Sequence, residues 1–151
     1  MLRHPLHVLS FGFGSGLSPI APGTVGTLWA WVAFLALAPW LDATGWTLVL
    51  LAGLAVGWWA CTHTARALGS ADPGAIVWDE IVAFWIVLMV LPAAFGWQLA
   101  GFALFRLLDA TKPPPIGWAD RRVPGGLGVM LDDLLAAFVT LFLLALARSW
   151  F

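Results

Sequence analysis

Tyrosine is absent from this chain, lysine occurs once, at Lys112, and cysteine once, at Cys61. A lone cysteine excludes an internal disulfide and says little about redox compartment. Charge is scarce too: Asp, Glu, Lys and Arg make up 10% of the 151 residues, against about a quarter in a soluble domain. The formal net charge of −1 excludes the broad basic field of a nucleic-acid binder. The N-terminus lacks a long apolar run, because Ser10, Gly12, Gly14, Gly16 and Pro19 interrupt it, so no signal-peptide pattern opens the chain. Several catalytic signatures are missing as well. There is no P-loop, no G-x-S-x-G elbow, and no D-x-D for an aspartyl-phosphate enzyme. His4, His7 and His63 show no paired spacing for zinc, and His63 reads as a plain interfacial residue. Cys61 and Arg66 are spaced for a helix rather than for the phosphate-cradling loop of a cysteine phosphatase.

What remains is apolar. Hydrophobic residues make up 62% of the chain, and the mean hydropathy is +0.93. One all-α, polytopic membrane domain over residues 1–151 accounts for this, with four or five short spans. The first long apolar run is 25–41, about 25 Å as a helix and close to the hydrocarbon thickness. A second helix is expected over 46–68, and a last apolar run over 134–147. Between them, 76–109 is too long for one span, at about 50 Å. Pro92 breaks it, so a hairpin turning at 92–96 is expected, with two helices of roughly 23 Å. Residues 12–24 and the stretch from Lys112 to Gly128 read as loops.

With the hairpin included, Arg3, Arg66, Arg106, Lys112, Arg121 and Arg122 share one face, which the positive-inside rule makes cytoplasmic. Trp40, Trp46, Trp97 and Trp150 gather on the other, as an interfacial belt does. Seven of the eight acids (Asp72, Asp79, Glu80, Asp109, Asp120, Asp132 and Asp133) also fall on the cytoplasmic face, leaving Asp42 outside. Ionisable groups near a bilayer need partners or a function.

Asp79-Glu80 and Asp132-Asp133 each stand where a helix is expected to start. Capping and the helix dipole explain one such pair. Two pairs on one face, together with Asp109, exceed that explanation. Carboxylates clustered without His or Cys suit a hard cation, Mg²⁺ or Mn²⁺. Arg106 and Asp109 lie on one side of a helix end, and Lys112 is followed by three prolines that hold the loop in a fixed shape. Arg and Lys beside a hard metal supply what a phosphate needs. Snorkelling at the interface accounts for Arg148 entirely and for Arg106 well, and less well for Lys112 before its three prolines. Gly-rich stretches at 12–24 and 125–128 either flex or bring backbone N–H groups to phosphate oxygens. Ser15, Ser18 and Thr24 have no histidine placed to activate them, which leaves them to support other site residues or to contact phosphate.

Four stretches carry a resemblance: "GFGSGLSPIAPGTVGTLWA" (12–30), "GAIVWDEIVAFWI" (74–86), "FRLLDATKPPPIGWADRRV" (105–123) and "GGLGVMLDD" (125–133). In these the chain resembles the bacterial phosphatidylglycerophosphatase A family along nearly its full length. The resemblance implies a Mg²⁺-dependent phosphatase of the inner membrane, which converts phosphatidylglycerophosphate to phosphatidylglycerol. Carried over by position, its polar residues are Ser15, Ser18, Thr24, Asp79, Glu80, Arg106, Asp109, Lys112, Asp120, Arg121, Asp132 and Asp133. One departure is Pro114, where the family carries an aromatic. Under this reading Asp79, Glu80, Asp109, Asp132 and Asp133 supply metal ligands and a general base. Arg106, Lys112, Arg121, Thr24 and Ser18 bind phosphate. The partner is a lipid phosphate within the membrane, with no nucleic acid involved. Two other readings remain open: a phosphatase for another lipid phosphate such as phosphatidate, or a non-enzymatic membrane protein, either an ion pathway or an assembly subunit.

Overall fold

A computed structural model describes residues 2–70 and 73–150. Asp72, expected among the cytoplasmic acids, lies outside the described residues. The architecture is all-helical, with no strand among the described residues. A short α1 (Pro5–Ser10) and a 3₁₀ segment (Gly12–Leu17) lead into α2 (Pro22–Leu37). Then come α3 (Ala43–Leu68), α4 (Trp78–Val90), α5 (Phe95–Thr111), α6 (Ile116–Arg122) and α7 (Gly125–Trp150).

The break at Pro92 holds. Leu91 is extended, as a residue before proline should be, and α5 starts afresh at Phe95. The hairpin is antiparallel: a Cβ on Gly101 would meet Leu91 and Val87, while Arg106 reaches back to Glu80. Phe34 stacks on Trp46 at 4.6 Å, which joins the end of α2 to the start of α3. Gly126 at the start of α7 packs on Thr62 near the end of α3. The helices α2, α3, α4, α5 and α7 therefore alternate in direction. One end of the bundle collects α1, α6, the starts of α2, α4 and α7, and the ends of α3 and α5.

Two helices, α3 and α7, are long and apolar enough to cross a membrane; α2 is apolar but shorter. Outward positions carry large apolar side chains: Leu28, Val32 and Leu35 on α2, and Phe138, Phe142 and Leu146 on α7. Both sets recur at helical spacing, so these helices are hydrophobic on the outside as well as the inside.

The core is tied together by tryptophan. Trp78 donates its indole N–H to the Gly53 carbonyl (3.0 Å), Trp85 to that of Ala30 (2.9 Å) and Trp31 to the Gln98 amide oxygen (2.9 Å). Each of these three indole donors thus has an acceptor, which avoids the cost of leaving it unpaired. The expected belt is only partly present. Trp40 and Trp150 are exposed, but Trp46 is buried between Phe34 and Trp85. Hydropathy marks the depth of a residue and not the side of the helix it occupies.

Two sequence expectations are corrected at the start of α7. Gly125–Gly128 is helix and not loop, and Asp132 and Asp133 lie two turns inside that helix instead of opening it. The glycines serve close packing: a side chain on Gly126 would enter Thr62 and the Trp58 carbonyl, and one on Gly128 would enter the Val123 carbonyl. Gly128→Ala should therefore lower stability by about 1–3 kcal/mol, seen as a lower thermal midpoint in detergent. Gly96→Ala, where an added methyl meets nothing within 4 Å, should leave it unchanged. Equal midpoints for the two variants would refute the close-packing account.

Candidate active site

The charged residues converge at the end of the bundle where α4, α5, α6 and α7 meet. Asp79 and Glu80 stand in the first turn of α4, which has no side-chain cap. Arg106 and Asp109 occupy the last turns of α5, and Lys112 caps that helix in the left-handed region at φ 47°. Pro113 follows, so the helix cannot continue. The turn directs Lys112 toward α7. The three prolines lead directly into α6, a helix that proline-rich sequence concealed, and this helix carries Asp120.

The contacts form one network. Arg106 Nη1 donates to Asp109 Oδ2 at 2.6 Å and faces Glu80 Oε2 at 3.2 Å. Lys112 Nζ lies 3.6 Å from Asp109 Oδ1 and 3.7 Å from Asp120 Oδ1, and pairs directly with Asp132 Oδ2. Asp132 Oδ1 accepts the Asp133 backbone N–H at 3.0 Å. One carboxylate oxygen from each of Asp109, Asp132 and Asp133 lies within 4.8 Å of the other two. Asp79 sits against Asp133.

Burial makes this arrangement costly. Asp79, Asp109, Asp132 and Asp133 are 6%, 7%, 3% and 2% exposed. Six carboxylates, with Glu80 and Asp120, meet two cations. Asp79 Oδ1, Glu80 Oε2 and Arg106 Nε are buried without a hydrogen-bond partner. The two unpaired oxygens both come from α4, and the carboxylates as a group come from α4, α5 and α7; such an all-oxygen donor set fits a hard cation. Lys112 lies beyond the end of α5. Burial works against its charge, but Asp132, Asp109 and Asp133 outweigh this and hold its pKa above the ordinary lysine value.

The start of α2 completes the site. Gly23 lies so close to Glu80 and Arg106 that any side chain there would collide with both. The helix is preceded by Ala21 at φ 44°, with no side-chain cap, which leaves its first N–H groups uncommitted to any side chain. Sequence reasoning missed Gly23; its signal was a glycine just inside a helix start, after Pro22. Thr24 follows it and is half-buried.

Three expected phosphate contacts stand outside the ion-pair network. The Ser18 hydroxyl donates to the Ile20 carbonyl (2.8 Å) and the Ser15 hydroxyl to that of Gly12 (2.8 Å), so both protons serve local turns. Arg121 is exposed on α6 and makes no ion pair among the described residues.

Comparison with known proteins gives the family. A family model described as Phosphatidylglycerophosphatase A matches residues 8–148. Phosphatidylglycerophosphatase A of Escherichia coli is 46% identical over 92% of this chain and 81% of its own length. The Haemophilus influenzae protein of the same name is 38% identical over 99% and 92%. A Bacteroides thetaiotaomicron protein provisionally named phosphatidylinositol-3-phosphatase is 40% identical over 93% and 92%. No solved structure matches the chain. The match runs from α1 into the last turn of α7 and takes in every helix of the acidic cluster, so the chain belongs to the phosphatidylglycerophosphatase A family.

Proposed function

We propose that this chain removes the terminal phosphate of phosphatidylglycerophosphate, giving phosphatidylglycerol and inorganic phosphate, with Mg²⁺ bound at the carboxylate cluster. The substrate is the one for which the E. coli and H. influenzae relatives are named. The observation that carries the reading is the excess of buried carboxylates over cations, with Asp79 Oδ1 left unpaired. Such a site needs a further positive charge, and its all-oxygen donor set suits Mg²⁺.

Asp109, Asp132 and Asp133 are the ligand set, since they converge most closely. Mg²⁺ there would supply Lewis acidity to a phosphoryl oxygen and to an attacking water. Arg106 and Lys112 hold the other phosphoryl oxygens as a planar fork and a point charge. The uncapped N–H groups at Gly23 and Thr24 add donors on the same side, and the helix dipole favours the anion. Arg121 reaches the headgroup from the rim. Asp79 and Glu80, outside the converging trio, leave one carboxylate to orient the water and take its proton. Water oxygen bonds to phosphorus, the ester oxygen leaves, and that oxygen takes up a proton.

The acyl chains lie in the bundle. A wholly apolar crevice of about 250 Å³ runs between α2 and α4, past Trp29, Ala33, Trp78 and Trp85. It starts beside Trp78, the neighbour of Asp79, so a lipid in it places its headgroup at the acids. The five alternating helices are read as spans of one domain in the bacterial inner membrane, with the site facing the cytoplasm. At about 20 Å, α4 is shorter than the hydrocarbon thickness, which sinks the site below the surface.

The direct test is phosphate release from phosphatidylglycerophosphate by purified protein in detergent. Release should need Mg²⁺, stop with EDTA and return when Mg²⁺ is restored. No release from folded protein in Mg²⁺ would overturn the proposal. The Bacteroides relative motivates a second arm, with phosphatidylinositol 3-phosphate and phosphatidate as competing substrates. A higher kcat/KM on either would move the assignment to that lipid phosphate.

A further inference from the structure

A second cluster of ligating side chains lies outside the acidic site. His4 caps α1, His7 lies within it, and His63 sits in the last turns of α3. The sequence separates His63 from the other two by more than fifty residues, and only the docking of α1 on α3 brings the three rings together. Ring centres are 5.1 Å apart for His4–His7, 5.1 Å for His4–His63 and 5.3 Å for His7–His63. Zn–N bonds of about 2.0–2.1 Å in tetrahedral geometry place the centres of three coordinating imidazoles about 5.2 Å apart. One ring nitrogen from each histidine lies within 4.8 Å of the other two. Tetrahedral ligation brings such nitrogens to about 3.4 Å, so the rings must turn but need not travel.

The buried member is already set for this. Ser10 donates its hydroxyl to the Leu6 carbonyl (2.8 Å), and Thr64 donates to Ser10 Oγ (3.0 Å). Thr64 has then spent its proton, so in the 2.8 Å contact between His7 Nδ1 and Thr64 Oγ1 the imidazole must donate. This fixes the neutral tautomer with its lone pair on Nε2. A histidine held through Nδ1–H by a partner behind it is the usual arrangement of a metal ligand. His4 gives up little, since its Nδ1 accepts only a long, exposed bond of 3.3 Å from Leu6 N–H.

We propose that His4, His7 and His63 form a zinc site that fastens α1 to α3, separate from the carboxylate cluster. Three neutral imidazoles suit a borderline divalent cation and leave a fourth position to water. The segment this site anchors runs through the 3₁₀ turn to Gly23, which packs on Glu80 and Arg106.

Detergent-purified full-length protein, stripped of metal and then saturated with Mg²⁺ to fill the carboxylate site, is titrated with Zn²⁺ by calorimetry. One Zn²⁺ per chain is expected. His4→Ala and His63→Ala alter exposed side chains, so folding should survive, checked by circular dichroism; each should weaken binding by more than about tenfold. Thr64→Val, which removes the acceptor behind His7, should weaken it by about tenfold. Asp133→Asn should leave Zn²⁺ binding unchanged. Co²⁺ in place of Zn²⁺ should give the visible bands of a four-coordinate nitrogen site, absent in His63→Ala. Failure of the folded protein to bind Zn²⁺, or equal binding by the His4→Ala/His63→Ala double variant, would overturn the site.

Discussion

Asp133→Asn should cut phosphate release by about a hundredfold or more and yet leave the protein as stable as before, or more so. The two effects have one cause. Asp133 is 2% exposed, with Asp79 beside it and the carboxylates of Asp109 and Asp132 close by. Like charges held together out of water oppose folding, so exchanging one for an isosteric amide relieves repulsion in metal-free protein. The same exchange removes a proposed ligand from the converging trio. Thermal midpoints in EDTA should therefore be equal or higher for the variant, while added Mg²⁺ should stabilise the parent chain and not the variant. Asp120→Asn is the control. Its carboxylate is about a third exposed and lies 3.7 Å from Lys112, and such pairs contribute about 1 kcal/mol at most, so activity should stay within about fivefold. Full activity of Asp133→Asn would remove Asp133 from the metal site. Lower stability in EDTA would show that its charge holds the fold together and does not strain it.

The helices and the acids were legible because both depend on short-range pattern. Apolar runs marked α2, α3, α4 and α5 to within a few residues, and Pro92 marked the turn between α4 and α5, since proline acts locally. Asp79 and Glu80 were placed correctly, in a first turn. Other features depend on contacts between distant segments. Gly125, Gly126 and Gly128 read as a loop because glycine weakens an isolated helix; in α7 Gly125 opens the helix at φ 73°, and α3 and Val123 leave no room for side chains at Gly126 and Gly128. Trp46 read as a belt residue because depth is periodic in sequence, whereas facing is set by which helix packs alongside. The pairing of Lys112 with Asp132 was implicit in their shared face, but the left-handed turn that aims the lysine was not. The histidine trio was set aside for lack of local spacing and emerges only from the packing of α1 on α3.

Lys112→Gln should lower kcat by about a hundred- to a thousandfold and, in the opposite sense, lower the Mg²⁺ concentration needed for half-maximal activity. In the proposed reaction the ammonium binds a phosphoryl oxygen, and loss of one such preorganised donor carries a cost of that size. In the free protein, however, the same ammonium pairs with Asp132 and lies 3.6 Å from Asp109, both proposed ligands. In that reading lysine and metal compete for carboxylate charge, and bound phosphate would draw the lysine away. Glutamine keeps much of the reach without the charge, so Mg²⁺ should bind the variant more tightly while turnover falls. A lysine that only anchors the protein at the membrane surface would move neither quantity. One that only neutralises the acids would be replaced by extra Mg²⁺, and kcat would recover at saturation. Loss of kcat at saturating Mg²⁺, together with tighter Mg²⁺ binding, is the outcome that assigns Lys112 to the phosphate.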